Sequence, residues 1–263
     1  MITVDRQATR WLAGLVGLGV LGAAAQVPPP VTEAERAAAF PDVSGTDLAA
    51  HMEHDPFTAM LLAEQFEWQA GSGDDLLKWA AIGGAGWSMN RLWLRTEGER
   101  PSGSSGAAQT EVLYGRPVAA WWDLVAGVRH DIGHGPARTY AALGVQGLAP
   151  QWFHVEATAY FGEGSQAGAR LQADYEWLFT NRLVLTARTE AHAWSDDDEA
   201  TGIGSGLSAA SFGLRLRYEI RRELAPYVGV EWEGLFGDTA DLADEAGEEK
   251  RDTHLVAGVR WWF

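Results

Sequence analysis

The chain has 263 residues, no cysteine and a formal charge of −16. Without cysteine, disulfides and thiolate metal sites are excluded, so any metal has to be held by His, Met, carboxylate or water. The acidic balance excludes a nucleic-acid partner, whose phosphates need a basic surface, and suits cations instead.

Thirteen Trp and 31 Gly against 10 Pro fit many strands, with aromatics for membrane interfaces and Gly for turns and close packing. Met1 to Ala25 opens with Arg6 and Arg10, continues through an apolar core from Trp11 to Leu21 and ends on Ala23-Ala24-Ala25. This predicts a secretory signal peptide over 1–25, whose removal leaves the mature chain more acidic still. An uncleaved anchor is the alternative, but the core falls short of the ~20 apolar residues that a spanning helix needs. No later segment approaches one, so a mature chain resident in a membrane has to be a closed barrel.

Residues 26–56 differ in character from the remainder of the mature chain. Pro28-Pro29-Pro30 starts extended, Thr32-Glu33-Ala34-Glu35 is a capping box before Arg36 to Ala39, and Pro41 ends that helical turn. The segment closes on His51-Met52-Glu53-His54-Asp55-Pro56. It predicts a short, flexible, mostly irregular periplasmic extension, with a plug inside the barrel as the alternative.

From Phe57 onward the chain breaks into alternating runs of about ten residues separated by turn signals, the period of tilted membrane strands. Strands are predicted at Thr58 to Gln69, Leu76 to Gly86, Arg91 to Arg100, Gln109 to Arg116, Asp123 to His130 and Thr139 to Gly147. Six more are predicted at Phe153 to Phe161, Arg170 to Trp177, Leu183 to Trp194, Ala210 to Arg221, Tyr227 to Phe236 and Thr253 to Phe263. The last carries Leu255, Ala257, Val259, Trp261 and Phe263 on one face and His254, Gly258 and Arg260 on the other, and it ends the chain on an aromatic residue. The fold class is therefore all-β: an antiparallel transmembrane β-barrel of about twelve strands over 57–263.

Connections should alternate between short periplasmic turns and longer outer loops. Those around Ser88 to Asn90, Pro117 to Trp122, Leu148 to Trp152, Phe179 to Arg182 and Arg222 to Pro226 are short. The interleaved set, Gly71 to Asp75, Pro101 to Ala108, Asp131 to Arg138, Gly162 to Ala169, Ser195 to Ala209 and Gly237 to Asp252, is longer and rich in Gly, Ser and Asp. Both termini then fall on the periplasmic side of an outer membrane, as in a Gram-negative bacterium.

Parity assigns the faces. Val155, Ala157, Ala159 and Phe161, then Leu171, Ala173, Tyr175 and Trp177, then Leu183, Leu185, Ala187 and Ala191 meet lipid. His154, Glu156, Thr158 and Tyr160, then Arg170, Gln172, Asp174 and Glu176, then Arg188, Glu190 and His192 point inward, as do Arg215, Arg217, Glu219, Glu231, Glu233, His254 and Arg260. A lumen lined by both signs of charge is expected to be cross-braced by Arg–carboxylate pairs rather than open.

His51-Met52-Glu53-His54 offers two imidazoles, a thioether and a carboxylate, a set that favours copper over magnesium or calcium, although so short a motif also occurs as an ordinary solvated stretch. His130, His134, His192 and His254 gather at the outer rim, near Asp196-Asp197-Asp198-Glu199, and His154 lies toward the other end. These could form a trail of metal ligands, or each histidine could simply hydrogen-bond a neighbour. Acidic loops also bridge lipopolysaccharide through divalent ions. A hydrolase site would need Ser paired with His192, but Ser195, Ser205, Ser208 and Ser211 sit in no nucleophile motif.

Several blocks resemble the copper resistance protein B family. They are Phe40-Pro41-Asp42, His51 to Pro56, Asn90 to Glu99, Trp122 to Asp131, Ala141 to Pro150, Gly202 to Ser208, Gly213 to Pro226 and Asp252 to Phe263, nearly the whole mature chain. The resemblance implies an outer-membrane barrel of copper handling that works beside a periplasmic multicopper oxidase. Members often carry a long Met- and His-repeat extension, whereas this chain keeps only His51, Met52 and His54 there, which points away from high-capacity storage. The expected function is a non-enzymatic barrel that binds or moves copper between periplasm and exterior, using His51, Met52, His54, His154, Glu156, His192 and His254 as candidate ligands. Its partners would be copper ions, outer-membrane lipid and lipopolysaccharide. A general small-solute porin is the alternative, and an outer-membrane lipid hydrolase the second.

Overall fold

The computed structural model describes residues 31–39, 55–71, 75–103, 105–133, 135–163 and 166–263, which fall into two units, Met1–His54 and Asp55–Phe263. In the first, helix α1 (Glu33–Ala39) starts at the expected capping box. Glu35 N donates to Thr32 Oγ1 at 3.2 Å, and Thr32 N donates to Glu35 Oε2 at 2.9 Å, so two orphan donors of the first turn are satisfied reciprocally. The expected signal peptide, His51, Met52, His54 and His134 lie outside the described residues.

The second unit is a closed antiparallel barrel. Its strands are β1 (Thr58–Ala70), β2 (Leu76–Trp87), β3 (Asn90–Pro101), β4 (Ala107–Ala119), β5 (Trp122–Gly133), β6 (Gly135–Ala149), β7 (Phe153–Phe161), β8 (Ala167–Leu178), β9 (Leu183–Trp194), β10 (Gly206–Tyr218), β11 (Leu224–Leu235) and β12 (Arg251–Trp262). Each pairs with its sequence neighbours, and β12 returns to β1 with Leu62 opposite Trp262 and Gln69 opposite Val256. The terminal Phe263 extends that seam, donating its N–H to Leu61 O at 2.8 Å and accepting from Leu61 N at 3.1 Å. Closure leaves no unpaired strand edge, the condition for a sheet to sit in hydrocarbon. Among the described residues no helix is long and apolar enough to cross a membrane.

At one end the connections are short: 88–89, 120–121, a 3-10 turn at Pro150–Trp152, 179–182 and 219–223. At the other they are 71–75, 102–106, 162–166, 195–205 and 236–250. One expected long loop is not there. Instead of an excursion from Asp131 to Arg138, β5 and β6 run to Gly133 opposite Gly135 with one residue between them. Both glycines have positive φ, 127° and 79°, which closes the reversal without a loop. The 236–250 connection holds a helix where the sequence predicts a loop, α2 (Gly237–Ala246), ended by Gly247 at φ 77° in the αL conformation.

The barrel is inside-out. Glu67, Gln69, Glu111, Arg95 and Glu231 are buried, while Leu92, Leu94, Val112, Val128, Leu143, Leu171, Val228 and Leu255 are exposed on the outer wall. So large a contiguous apolar surface requires lipid to cover it. Strand alternation produces both faces at once. Small residues let large ones lie flat: inward Trp93 stands directly across from Gly84, and inward Trp194 across from Gly168. A Cβ on either glycine would come within 2.6 Å of the indole facing it. Outward Trp79 over Gly98 and Trp122 over Gly147 repeat the pairing on the lipid side.

Candidate functional site

Opposed charges cross the lumen between strands that are not neighbours. Arg215 on β10 donates through Nε and Nη2 to Glu67 on β1 at 2.9 and 2.8 Å, and Glu67 also accepts from Tyr227 Oη at 2.8 Å and Gln69 Nε2 at 2.7 Å. The same guanidinium reaches Glu231 at 2.5 Å. Arg188 on β9 joins Glu64 on β1 at 2.7 Å and Asp174 at 2.5 Å. Arg170 on β8 spans to Glu97 on β3 at 2.7 Å and holds Glu190 at 2.8 Å. Arg95 on β3 meets Glu156 on β7 at 3.0 Å, Glu111 at 3.4 Å and the amide of Gln146. Arg129, paired with Asp131 at 2.8 Å, lies 4.5 Å from the Tyr160 ring centroid, a cation–π contact. The braces are arginines because a planar fork can hold two carboxylates at once, which a lysine ammonium does with poorer geometry. Lumenal Lys78 ends on Glu233 at 2.5 Å, with Glu231 at 3.8 Å.

Glu64 enters this network through an irregularity. The pairing of β1 shifts register between Ala63 and Gln65, and such a bulge re-aims one side chain, here into the lumen beside Arg188.

The braces divide the lumen into two cavities whose linings share Gln65 and Arg188. The cavity toward the long loops, about 550 Å³, is lined by Lys78, Glu97, Glu99, Asp131, Arg170, Glu190, His192, Glu233 and Asp252. The one toward the short turns, about 570 Å³, is lined by Glu64, His154, Asp174, Glu176, Arg217 and Arg260. Loop 195–205 folds over the first. Arg138 Nε and Nη2 donate to Asp198 at 2.8 and 3.1 Å, and this guanidinium holds the Asp198 carboxyl below its ordinary pKa. Ile203 packs on the buried Tyr140, Tyr160 and Trp194 cluster. Gly204 N donates to Thr239 Oγ1 at 2.8 Å, which ties the loop to α2.

The expected inward faces of β7 to β12 are the ones observed. His192 Nε2 lies 2.5 Å from Glu190 Oε1 in the long-loop cavity. His254, its side chain 8% exposed, has Nε2 3.6 Å from Asp252. Its Nδ1 is buried and has no hydrogen-bond partner among the described residues, and the ring occupies room left by Gly71. His154, half-exposed, sits 3.9 Å from Asp174 in the short-turn cavity. Glu156 is engaged by Arg95. These four do not converge, and among the described residues no group of three or more His, Asp or Glu is placed to hold a metal ion. His130 lies near the β5–β6 reversal, its exposed ring on the outward face and 2.8 Å from Thr139 Oγ1. The serines near His192 are occupied elsewhere, Ser195 with Asp196, Ser205 with Asp238, and Ser208 with the His192 carbonyl. The lumenal residues of β1 to β5, Glu67, Lys78, Arg95, Glu97, Glu111 and Arg129, were not singled out from sequence although the same alternation marks them.

A sequence model described as copper resistance protein B precursor (CopB) matches residues 57–263. The chain belongs to the copper resistance protein B family. It is 44% identical over 236 residues to copper resistance protein B of Escherichia coli, covering 89% of this chain and 78% of that protein. It is also 44% identical over 236 residues to the copper resistance protein B homolog of Pseudomonas syringae pv. tomato, covering 89% and 79%. The solved NanC porin superposes with a TM-score of 0.51 at 11% identity, over 78% of this chain and 99% of that one. This likeness concerns the fold alone, that of an outer-membrane barrel.

Proposed function

We propose that this family member contributes to copper resistance by binding copper inside a braced barrel and passing it between periplasm and exterior. The observation that carries the reading is the pairing of every described lumenal imidazole with a carboxylate: His154 with Asp174 toward the short turns, and His192 with Glu190 and His254 with Asp252 toward the long loops. Each pair would offer a copper ion one imidazole and one carboxylate, a donor set that suits cupric copper. Glu156 contributes charge through Arg95 rather than direct ligation. His51, Met52 and His54 would supply the softer, cuprous-preferring set. The short-turn end and both termini face the periplasm, where a multicopper oxidase would be the partner. The long acidic loops, including Asp196 to Glu199, face outward and would meet lipopolysaccharide through divalent ions.

A small-solute porin needs a continuous aqueous path, and the cross-lumen pairs oppose one. The binding reading is tested by titrating mature protein with copper against a competing chelator, beside a His154→Ala/His192→Ala/His254→Ala variant and a His51→Ala/Met52→Ala/His54→Ala variant. A fall in stoichiometry in each variant is expected. Unchanged binding in both would remove these ligands from the function.

A further inference from the structure

Three arginines at the short-turn end have no task inside the barrel. Arg182 lies on the β8–β9 turn and Arg221 and Arg222 on the β10–β11 turn, all exposed. The two turns are fastened together, Glu219 N donating to Arg182 O at 2.8 Å, and Trp262 Nε1 ties the second to the C-terminal strand by donating to Arg222 O at 2.8 Å. Among the described residues none of the three guanidinium groups forms an ion pair or hydrogen bond. Next to them an apolar shelf of Phe179 and Ile220, each more than half exposed, continues into outward Trp177, which stands opposite Leu185. The opposite end of the barrel is acidic, with Asp196, Asp197, Glu199, Asp241 and Glu245 in its loops.

We infer that the Arg182, Arg221 and Arg222 patch binds the phosphate of an anionic phospholipid headgroup, with the acyl chains lying along Phe179, Ile220 and Trp177. The chemistry is complementary in depth as well as charge. Trp and Tyr girdles mark the headgroup level, and guanidinium groups there meet phosphate with two parallel hydrogen bonds. A fixed pair of turns also presents the forks without the ordering cost that a flexible basic tail would incur. The choice of phospholipid over lipopolysaccharide rests on the proposed periplasmic placing of the short turns, since that leaflet is the phospholipid one.

The test is native mass spectrometry of the purified barrel released from nanodiscs of phosphatidylcholine and phosphatidylglycerol, counting lipids that stay bound. Wild-type protein and an Arg100→Gln control at the long-loop end should retain phosphatidylglycerol preferentially. An Arg182→Gln/Arg221→Gln/Arg222→Gln variant should lose that preference by about five-fold for each guanidinium removed at low salt, while inorganic phosphate displaces nothing. The three single Gln variants carry the same expectation should the triple variant fail to fold, which loss of the heat-modifiable band on a gel would reveal. Equal retention by variants and wild type overturns the site, and so does selective retention of lipopolysaccharide through the same arginines. Orientation is read separately. Because the chain has no cysteine, a Ser88→Cys protein labelled on intact cells by an impermeant thiol reagent would refute the periplasmic placing whatever lipid is bound.

Discussion

Glu67 is the point where the lumen is most sensitive. Its side chain is 0% exposed, Arg215 beside it is 7% exposed, and four hydrogen bonds from Arg215, Tyr227 and Gln69 end on its two oxygens. Glu67→Leu leaves Arg215 with Glu231 as its sole carboxylate partner and strands a phenol and an amide. Removing one member of a buried pair costs about 3–5 kcal/mol, because the survivor stays desolvated and uncompensated. Water admitted to the adjoining cavities offsets part of this, so a loss of about 3 kcal/mol is expected for the single variant. In Glu67→Leu/Arg215→Met the stranded charge is gone, and Glu231 keeps Lys78 at 3.8 Å. This double variant should regain stability and lie within about 2 kcal/mol of wild type. Urea unfolding in detergent micelles, followed by tryptophan emission, gives both values. A single-variant loss under about 1 kcal/mol, or a double variant no more stable than the single, would refute a tightly coupled buried brace.

Gly168→Ala should press a methyl group against Trp194, cost about 1–3 kcal/mol as overpacking and shift indole emission to the red as Trp194 leaves the Tyr140 and Tyr160 cluster. Thermal unfolding and emission spectra read the two effects. The Arg138–Asp198 contact should make the fold of loop 195–205 acid-labile. Because the Asp198 pKa is lowered below the ordinary value of 3.8, its stabilisation is full above that pH and lost as pH falls through the folded value. Limited proteolysis by an acid-active protease should therefore cut the loop faster as pH drops below about 4. Asp198→Asn should be cut readily at every pH, and a pH-independent wild type would contradict the latch.

Much of the barrel was legible because two periodicities carry it. Residues 153–194 alternate so regularly that parity alone places His154, Glu156, Arg170, Asp174, Arg188, Glu190 and His192 inward. The partners across the lumen were not legible, since parity gives a side chain's face but not its height, and height depends on strand stagger. That is why Arg170 with Glu97, or Arg188 with Glu64, had no sequence signal. Glu64 was hidden further by the bulge that breaks parity at Ala63. Asp131 to Arg138 looked like a loop because Gly133, His134, Gly135 and Pro136 are turn residues, yet two glycines suffice for a tight reversal. Helix α2 was missed because its Asp-rich sequence reads as solvated loop. Its one buried face, Thr239 and Ala243, docks where Thr239 meets Gly204, and that tertiary contact holds it in place.

Cross-lumen ion pairs should keep bulk ions out of the barrel, as the proposed ligand-based handling of copper requires. Current across a planar bilayer containing the mature protein in potassium chloride measures this directly. The wild-type barrel is predicted to pass almost no steady current, with conductance appearing in a Glu64→Ala/Glu97→Ala/Arg170→Ala variant. A wild-type protein with the steady, ohmic conductance of an open pore would contradict it.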